Sequence, residues 1–180
     1  MTTALFPALL APVDWPQLAP VVQRMHAEGS VVQASGRADV DGATHVVARL
    51  LRRLLCLPEP GAGQAIAVTI ERYASHERWS RQFHRGHMCS TLRAGKDGQL
   101  RERLGPATLC FALHRDDDAI DWQLRGVRIL GLPLPRALRG TVLSRSGVRA
   151  GRYAFDIDVR LPLVGRLVAY RGWLEIEHVG

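Results

Sequence analysis

The alternation of apolar and polar side chains along the C-terminal half most constrains the fold. In residues 153–161 every second side chain is apolar, Pro162 and Gly165 then interrupt the run, and a second alternating stretch leads to Glu177. A period of two is the signature of a half-buried strand, so the two stretches predict an antiparallel hairpin. The side chains expected on its inner face are Tyr153, Phe155, Ile157, Val159, Leu161, Val168, Tyr170, Leu174 and Ile176.

Further alternating stretches, separated by short turns, fill the chain between Gln64 and Leu130. Asp97-Gly98 is the strongest of these turns. Pro133 and Pro135 then break the ladder, because a proline cannot sit in a central strand. The regular spacing predicts a meander that closes into an antiparallel β-barrel or a curled half-barrel. The predicted strands are Ala65–Ala74, Glu77–His84, His87–Arg93, Leu100–Leu104, Ala107–Arg115 and Ala119–Leu130, and strands resume near Thr141.

Helical segments precede the first strand. One helix is expected to begin near Pro20 and to end at Gly29, and residues 31–40 then form a strand. The predicted fold class is therefore mainly β (α+β), with N-terminal helices and one amphipathic helix after the first strand. A chain of 180 residues fits a single domain. Its predicted parts are a helical segment (1–29), a strand, amphipathic helix and loop (30–63), and the meander (64–180).

The amphipathic helix is predicted between Ala43 and Leu57, where the apolar period changes to 3.6. A basic amphipathic helix can lie on an anionic membrane. Such helices more often pack on their own domain, and we expect this one to do so. Its apolar face holds Ala43, Val46, Val47, Leu50, Leu51, Leu54 and Leu55, and its opposite face holds His45, Arg49, Arg52 and Arg53.

Composition excludes several classes of partner. The net charge is +7, but the arginines are scattered rather than gathered into a stripe, which does not favour a nucleic-acid partner. The three cysteines form no C-x-x-C pair and are expected to be reduced thiols of a cytoplasmic protein. No apolar run reaches the length of a membrane span. We identify no signature of a metal site or a cofactor.

Strand pairing places candidate site residues on one surface. Two-residue hairpin loops at Ser75-His76 and Arg85-Gly86 fix the register of three strands. The resulting pairs are Ala74 with Glu77, Arg72 with Trp79, Ile70 with Arg81, Val68 with Phe83, Phe83 with Met88, Arg81 with Ser90 and Trp79 with Leu92. The inner face then holds Val68, Ile70, Arg72, Trp79, Arg81, Phe83, Met88, Ser90 and Leu92.

The two inward arginines, Arg72 and Arg81, require partners, because a charge in a dry core is costly. Candidates are Glu77, Glu102, water in a cavity, or an anionic ligand. Arginine binding the carboxylate or phosphate of a ligand in an apolar cavity is one interpretation. A structural salt bridge is the other. The candidate ligand-binding residues are Arg72, Glu77, Trp79, Arg81, Phe83, Met88, Ser90 and Glu102, and none is assigned as catalytic.

Several segments carry a family resemblance. They are, in order, LFPALL, LAPVVQRMH, ARLLRRLLCLP, ERYASHERWSRQF, RERLGP, RILGLPLPRAL and RLPLVGRLVAYRGWL. With them the chain resembles, over most of its length, the bacterial family catalogued as domain of unknown function 4166. The resemblance implies no activity. Some members are joined to a reductase-like nucleotide-binding domain of the saccharopine dehydrogenase type, which these residues do not contain.

Three hypotheses for function follow. The first is a non-enzymatic domain that binds a small apolar or amphiphilic molecule with an acidic group, which an internal cavity would favour. The second is an accessory domain that docks to a reductase-like protein, which an exposed apolar patch around residues 130–138 would favour. The third is an enzyme that uses Glu77, Glu102 and Arg81.

Overall fold

A computed structural model describes residues 4–180, in which three α-helices and eleven strands are assigned. The helices are α1 (Leu5–Leu9), α2 (Pro20–Ala27) and α3 (Val46–Leu54), and short 3₁₀ turns lie at Trp15–Gln17 and Arg136–Leu138. The strands are β1 (Val31–Gly42), β2 (Gly61–Arg72), β3 (Glu77–Phe83), β4 (His87–Ala94), β5 (Leu100–Leu104), β6 (Ala107–Asp116), β7 (Ala119–Ile129), β8 (Leu132–Pro133), β9 (Thr141–Arg149), β10 (Arg152–Leu161) and β11 (Gly165–Val179).

Ten of the strands close into an antiparallel barrel. Their order is β6-β5-β4-β3-β2-β1-β11-β10-β9-β7, and β7 pairs back with β6. The last ladder is short, because β7 and β9 pair only at Ile120↔Ser146 and Asp121↔Arg145. The β10–β11 hairpin is present as predicted, with Tyr153 and Leu174 both buried. The predicted mainly β, antiparallel barrel with N-terminal helices is therefore confirmed.

Because neighbouring strands are antiparallel, their connections gather at two ends of the barrel. At one end, named here the closed end, lie α1 and α2 and the connections 73–76, 95–99, 117–118 and 150–151. At the other, the mouth end, lie α3 and the connections 84–86, 105–106, 130–140 and 162–164. No helix of residues 4–180 is long and apolar enough to cross a membrane.

Phe6 plugs the closed end. Its ring is fully buried and lies 3.9 Å from the ring of His26, 6.0 Å from that of Trp79 and 5.3 Å from that of Trp122, measured between centroids. Two of these rings come from the barrel wall and two from the helices. Aromatic packing of this kind adds to the apolar area that the helices bury, so α1 and α2 belong to the core.

Arg72 fastens α2 to the barrel. Its guanidinium donates hydrogen bonds to the carbonyl oxygens of Met25 (2.8 Å) and Gly29 (3.0 Å) and to that of Glu28, at the C-terminus of α2. These carbonyls have no partner within the helix, and a cation there is favourable. Burial lowers the pKa of Arg72, and the nearby Glu77 carboxylate partly offsets that effect.

Glu77 completes this attachment from the neighbouring strand. Its Oε1 lies 3.4 Å from Nε of Arg72 and accepts a hydrogen bond from the backbone N–H of Leu5 (3.3 Å), at the start of α1. Its Oε2 accepts one from Nε1 of Trp79 (2.9 Å). The Arg72–Glu77 pair, with both side chains 2% exposed, therefore joins both N-terminal helices to the barrel wall.

The predicted register of β2, β3 and β4 is wrong by two residues. Arg72 pairs with Glu77 rather than with Trp79, and Arg81 pairs with Val68 and Met88 rather than with Ile70 and Ser90. Two-residue hairpin turns need positive φ at their central positions, and no residue from 73 to 76 has one. The turn is therefore longer, closed by a hydrogen bond from the N–H of Tyr73 to the carbonyl of His76 (2.8 Å). A shift of two preserves the face, so every predicted inner-face residue is buried.

The prediction that α3 packs with its apolar face is right for Leu51 and Leu55 but wrong for the rest of that face. Val46, Leu50 and Leu54 are 68%, 67% and 69% exposed, and Val47 is 48% exposed. The helix is rotated by roughly a quarter turn from the expected orientation. Its inward face holds Ala48, Leu51, Arg52 and Leu55. The rotation buries one residue of the basic face, Arg52, whose guanidinium donates to the carbonyl of Pro58 (2.9 Å), while Arg49 and Arg53 stay exposed.

Replacing Arg72 by Met is expected to destabilise the fold by about 3–5 kcal/mol, because it leaves the Glu77 carboxylate buried without its cation and removes the cap of α2. Urea unfolding monitored by circular dichroism measures the loss. The matched control is Arg78→Met, on the exposed face of the same hairpin, for which we expect a change within about 0.5 kcal/mol. Equal stability of the two variants would contradict the assigned role of Arg72.

Candidate functional site

The barrel interior holds a partly open cavity of about 350 Å³ between the plug and the mouth end. Its walls are almost entirely apolar. Met25, Trp79 and Trp122 lie towards the closed end, whereas Leu51 and Leu55 of α3 cover it at the mouth. Leu134 and Leu138, from the proline-rich connection, also cover it there. The cavity therefore has a fixed floor and a roof made of one short helix and one loop.

The predicted site residues divide into three groups. Trp79, Arg81, Met88 and Glu102 line the cavity. Phe83 and Ser90 are buried in the wall but are not among the lining residues. Arg72 and Glu77 lie at the closed end, in the attachment of the helices. Sequence pairing thus found one wall of the cavity but placed two structural residues in it.

Arg81 faces the cavity as an ion-paired residue. Its Nη2 lies 3.3 Å from Oε1 of Glu102, and its Nη1 donates to Oγ of Ser90 (2.9 Å). The guanidinium carbon lies 5.0 Å from the centroid of Trp79, within cation–π distance. Burial alone would lower the pKa of Arg81, but the Glu102 carboxylate outweighs it and the pKa is raised. Arg81 is therefore charged and already neutralised.

A hydrogen-bonded chain leads from α2 to the cavity wall. The hydroxyl of Tyr153 donates to Oγ of Ser146 (2.9 Å), so Nε2 of His26 (3.1 Å) is the donor to Tyr153. Both Tyr153 and Ser146 line the cavity. Burial, followed by the charge of Arg72, lowers the pKa of His26 to about 3, and burial raises the pKa of Tyr153 to about 12. The chain is thus neutral near pH 7.

A side cleft meets the cavity where β7 and β9 separate. The two strands part after their short ladder, and the cleft opens between Trp122–Leu124 of β7 and Thr141–Arg145 of β9. Trp122, Arg139 and Ser144 line both the cleft and the cavity. The junction is therefore the place where an internal ligand can reach polar groups and solvent together.

Two donors at this junction lack a partner. Nε1 of Trp122 and Nε of Arg139 are buried, and no hydrogen-bond acceptor among residues 4–180 reaches either. Arg139 donates from Nη1 to the carbonyl of Arg125, but no carboxylate of the described chain lies within salt-bridge distance of it. The next residue must be a glycine, because the φ of Gly140 is +70° and its contact with the Arg160 backbone leaves no room for a side chain.

Sequence reasoning missed these two donors. Trp122 lies on a strand whose alternation predicts an inward side chain, so its burial can be predicted from the sequence. Whether its indole N–H finds an acceptor depends on the side chains that the fold brings opposite it, which the strand pattern does not give. Arg139 follows an irregular loop, in which no period exists to indicate its direction. Residues 4–180 also contain no cluster of three or more metal-binding side chains.

Comparison with known proteins identifies one family. The family model described as "Domain of unknown function (DUF4166)" matches residues 18–174. This span includes β1 to β10, β11 as far as Leu174, the cavity wall and both unpartnered donors. No protein of curated function matches the chain.

Acid is expected to destabilise the protein through His26. In the unfolded chain this residue takes up a proton below about pH 6.5, whereas in the fold it stays neutral until about pH 3. Its contribution to stability is therefore complete above pH 6.5 and declines as the pH falls towards 3, by about 1.4 kcal/mol per unit inside that window. Urea unfolding between about pH 6.5 and 5 avoids most carboxylate titration. There His26→Gln is expected to show a shallower slope, and the exposed-site control His84→Gln the wild-type slope.

Arg81→Met is expected to destabilise the ligand-free protein, but by less than Arg72→Met. Glu102 loses its cation, yet its side chain is 14% exposed and can be hydrated from the cavity. Adding Glu102→Gln to the variant is expected to restore most of the loss, since no stranded charge remains. Urea unfolding of both variants measures this. An Arg81→Met protein as stable as wild type would contradict a structural role for the pair.

Proposed function

Because the chain belongs to the DUF4166 family, whose description assigns no activity, we propose a function from the geometry: the protein binds a small apolar or amphiphilic molecule that carries an acidic group. The apolar part occupies the barrel cavity. The acidic group lies at the junction of cavity and side cleft, against Trp122 and Arg139. The role is non-enzymatic binding in the cytoplasm.

The apolar cavity inside the barrel is the observation that carries this proposal. A volume of about 350 Å³ is within the range of small-molecule sites, which are mostly apolar with a few placed polar groups. Protein cores are normally close-packed, with few voids larger than a water molecule. A space of this size inside a barrel of 180 residues therefore supports a ligand rather than an accident of packing.

The position of the acidic group follows from the charges. Arg81, the sequence-based candidate, is already neutralised by Glu102, so a carboxylate beside it would add an unbalanced negative charge. Among residues 4–180 Arg139 has no such partner, and its buried Nε has no hydrogen-bond acceptor. An unsatisfied buried donor costs about 1–3 kcal/mol. We expect a ligand carboxylate at this junction to accept from Arg139 and from Nε1 of Trp122, since both residues line the cavity and the cleft.

An accessory role, docking to a reductase-like protein, is the second candidate. It is favoured by exposed leucines around the proline-rich connection, of which Leu130 is 80% and Leu132 is 74% exposed. The enzymatic alternative has less support. Both carboxylate oxygens of Glu77 are held by Leu5, Trp79 and Arg72, and Glu77 is not a lining residue of the cavity.

Decanoate and decanol form a matched pair of probes, because they share a chain and differ in the charge of the head group. Wild-type protein is expected to bind both, with decanoate the tighter. Arg139→Met is expected to weaken decanoate at least about tenfold, the value of a hydrogen bond to a charged group, and to leave decanol nearly unchanged. Isothermal titration calorimetry measures both affinities.

Arg128→Met is the matched control, an exposed arginine on β7 outside both the cavity and the cleft. It is expected to bind both probes as wild type does. Wild-type protein that binds neither probe would overturn the proposal. An equal loss of both probes in Arg139→Met would remove the acidic group from it.

A further inference from the structure

Exposed aliphatic side chains concentrate at the mouth end. Among the described residues, Val13 and Tyr73 are the large exposed hydrophobic residues outside it. The others lie on α3, on the connection after β7, at the start of β9, or at the β10–β11 turn, where Leu163 is 99% exposed. Soluble monomers rarely expose apolar surface gathered in this way. These side chains are Val46, Val47, Leu50, Leu54, Ile129, Leu130, Leu132, Leu138, Leu143 and Leu163.

Charge is divided between the same two ends. The connections at the mouth end carry six arginines and one carboxylate, whereas those at the closed end carry mainly acidic residues. The mouth-end charges are Arg49, Arg52, Arg53, Arg85, Arg136 and Arg139, against Glu59. The closed-end charges are Asp14, Glu28, Asp97, Asp117 and Asp118, against Arg24 and Lys96. The net charge of +7 is thus strongly polarised along the barrel axis.

α3 combines both properties on its outer surface. Val46, Leu50 and Leu54 follow each other at intervals of four and form an exposed apolar stripe, beside which Arg49 and Arg53 are also exposed. Leu51 and Leu55, on the opposite side, cover the cavity. An apolar stripe flanked by arginines is the pattern of a helix that lies in the interface of an anionic membrane.

We propose that the mouth end docks on an anionic lipid surface, with α3 lying flat in the interface. The exposed leucines enter the boundary between head groups and acyl chains, while Arg49 and Arg53 pair with lipid phosphates. The acidic closed end is repelled by the same surface, which fixes the orientation of the barrel axis. Docking itself does not require an occupied cavity, so it stands independently of the proposed ligand.

Lipid fits this surface better than a protein partner does. The exposed aliphatic residues stand on separate elements, namely α3, the connection 130–140 and the turn 162–164, rather than on one flat patch. A protein would need complementary hollows for each, because interfaces are packed as tightly as interiors. A fluid interface accommodates them without such a match. The aliphatic composition points the same way, since protein interfaces are enriched in aromatic residues.

Flotation of the full chain with vesicles tests the proposal. Wild-type protein is expected to float with vesicles of phosphatidylcholine mixed with phosphatidylglycerol, and to stay unbound with phosphatidylcholine alone. Arg49→Gln with Arg53→Gln removes two exposed charges and is expected to lower partitioning roughly thirtyfold. Leu50→Ser with Leu54→Ser removes the stripe and is expected to lower it by at least about tenfold. None of these side chains lines the cavity.

Matched controls lie elsewhere on the barrel. Arg78→Gln with Arg93→Gln removes two exposed arginines outside the mouth end, and Val13→Ser with Tyr73→Ser removes the exposed apolar residues there. Both are expected to partition within about twofold of wild type, since neither pair of sites faces the membrane in this orientation. Partitioning that falls as much in the controls as in the α3 variants would overturn the proposal.

Two further results would also overturn it: no flotation of wild type with the anionic vesicles, or equal flotation with both compositions. A stable oligomer in analytical ultracentrifugation that dissociates on Leu50→Ser with Leu54→Ser would instead assign the surface to a second copy of the chain. Decanoate binding is measured without vesicles, so failure of docking and failure of ligand binding are distinguished.

Discussion

The buried ion pair of Arg72 and Glu77 is the interaction on which the rest of the structure depends. A ten-stranded barrel has two open ends, and its interior becomes a cavity only if one of them is sealed. The pair seals it by tying the C-terminus of α2 and the N-terminus of α1 to neighbouring strands. Phe6 can then fill the floor between Trp79 and Trp122. A buried ion pair is weak evidence for stability in general, but here its hydrogen bonds are shared with backbone groups that have no other partner.

The strands and their inward faces could be predicted from the sequence, because apolar and polar side chains alternate with a period of two along each strand. The register could not be predicted, because it depends on turn length. Neither Ser75 nor His76 is a residue that is specific for one turn type. The orientation of α3 could not be predicted for a different reason. Its apolar arc is wider than the contact it makes, and the edge that faces the barrel includes Arg52, buried against Pro58. Pairing of Arg81 with Glu102 depends on the register of β5, which strand periodicity alone does not fix.

The cavity has a tightly packed floor and wall, and a roof with fewer buried contacts. Its floor and wall belong to long ladders and to fully buried aromatic rings, whereas the roof is a nine-residue helix with an exposed apolar stripe and a proline-rich connection. Elements with few buried contacts lie at the low end of local stability. A docking surface made of the roof would therefore act on the cavity directly, because Leu51 and Leu55 cover it from the side of α3 opposite the exposed leucines.

The seam between β7 and β9, with only two residue pairs, makes one place in the barrel wall easier to open than the rest. In a barrel with uniform ladders, widening the wall means breaking many hydrogen bonds at once. Here the hydrogen bonds that must break can be confined to the β7–β9 ladder, which joins the two ends of an otherwise continuous curled sheet. Opening this seam would expose the edge beside Trp122 while the other ladders keep their hydrogen bonds. Molecules could then exchange with the interior through small, frequent openings that cost far less than global unfolding.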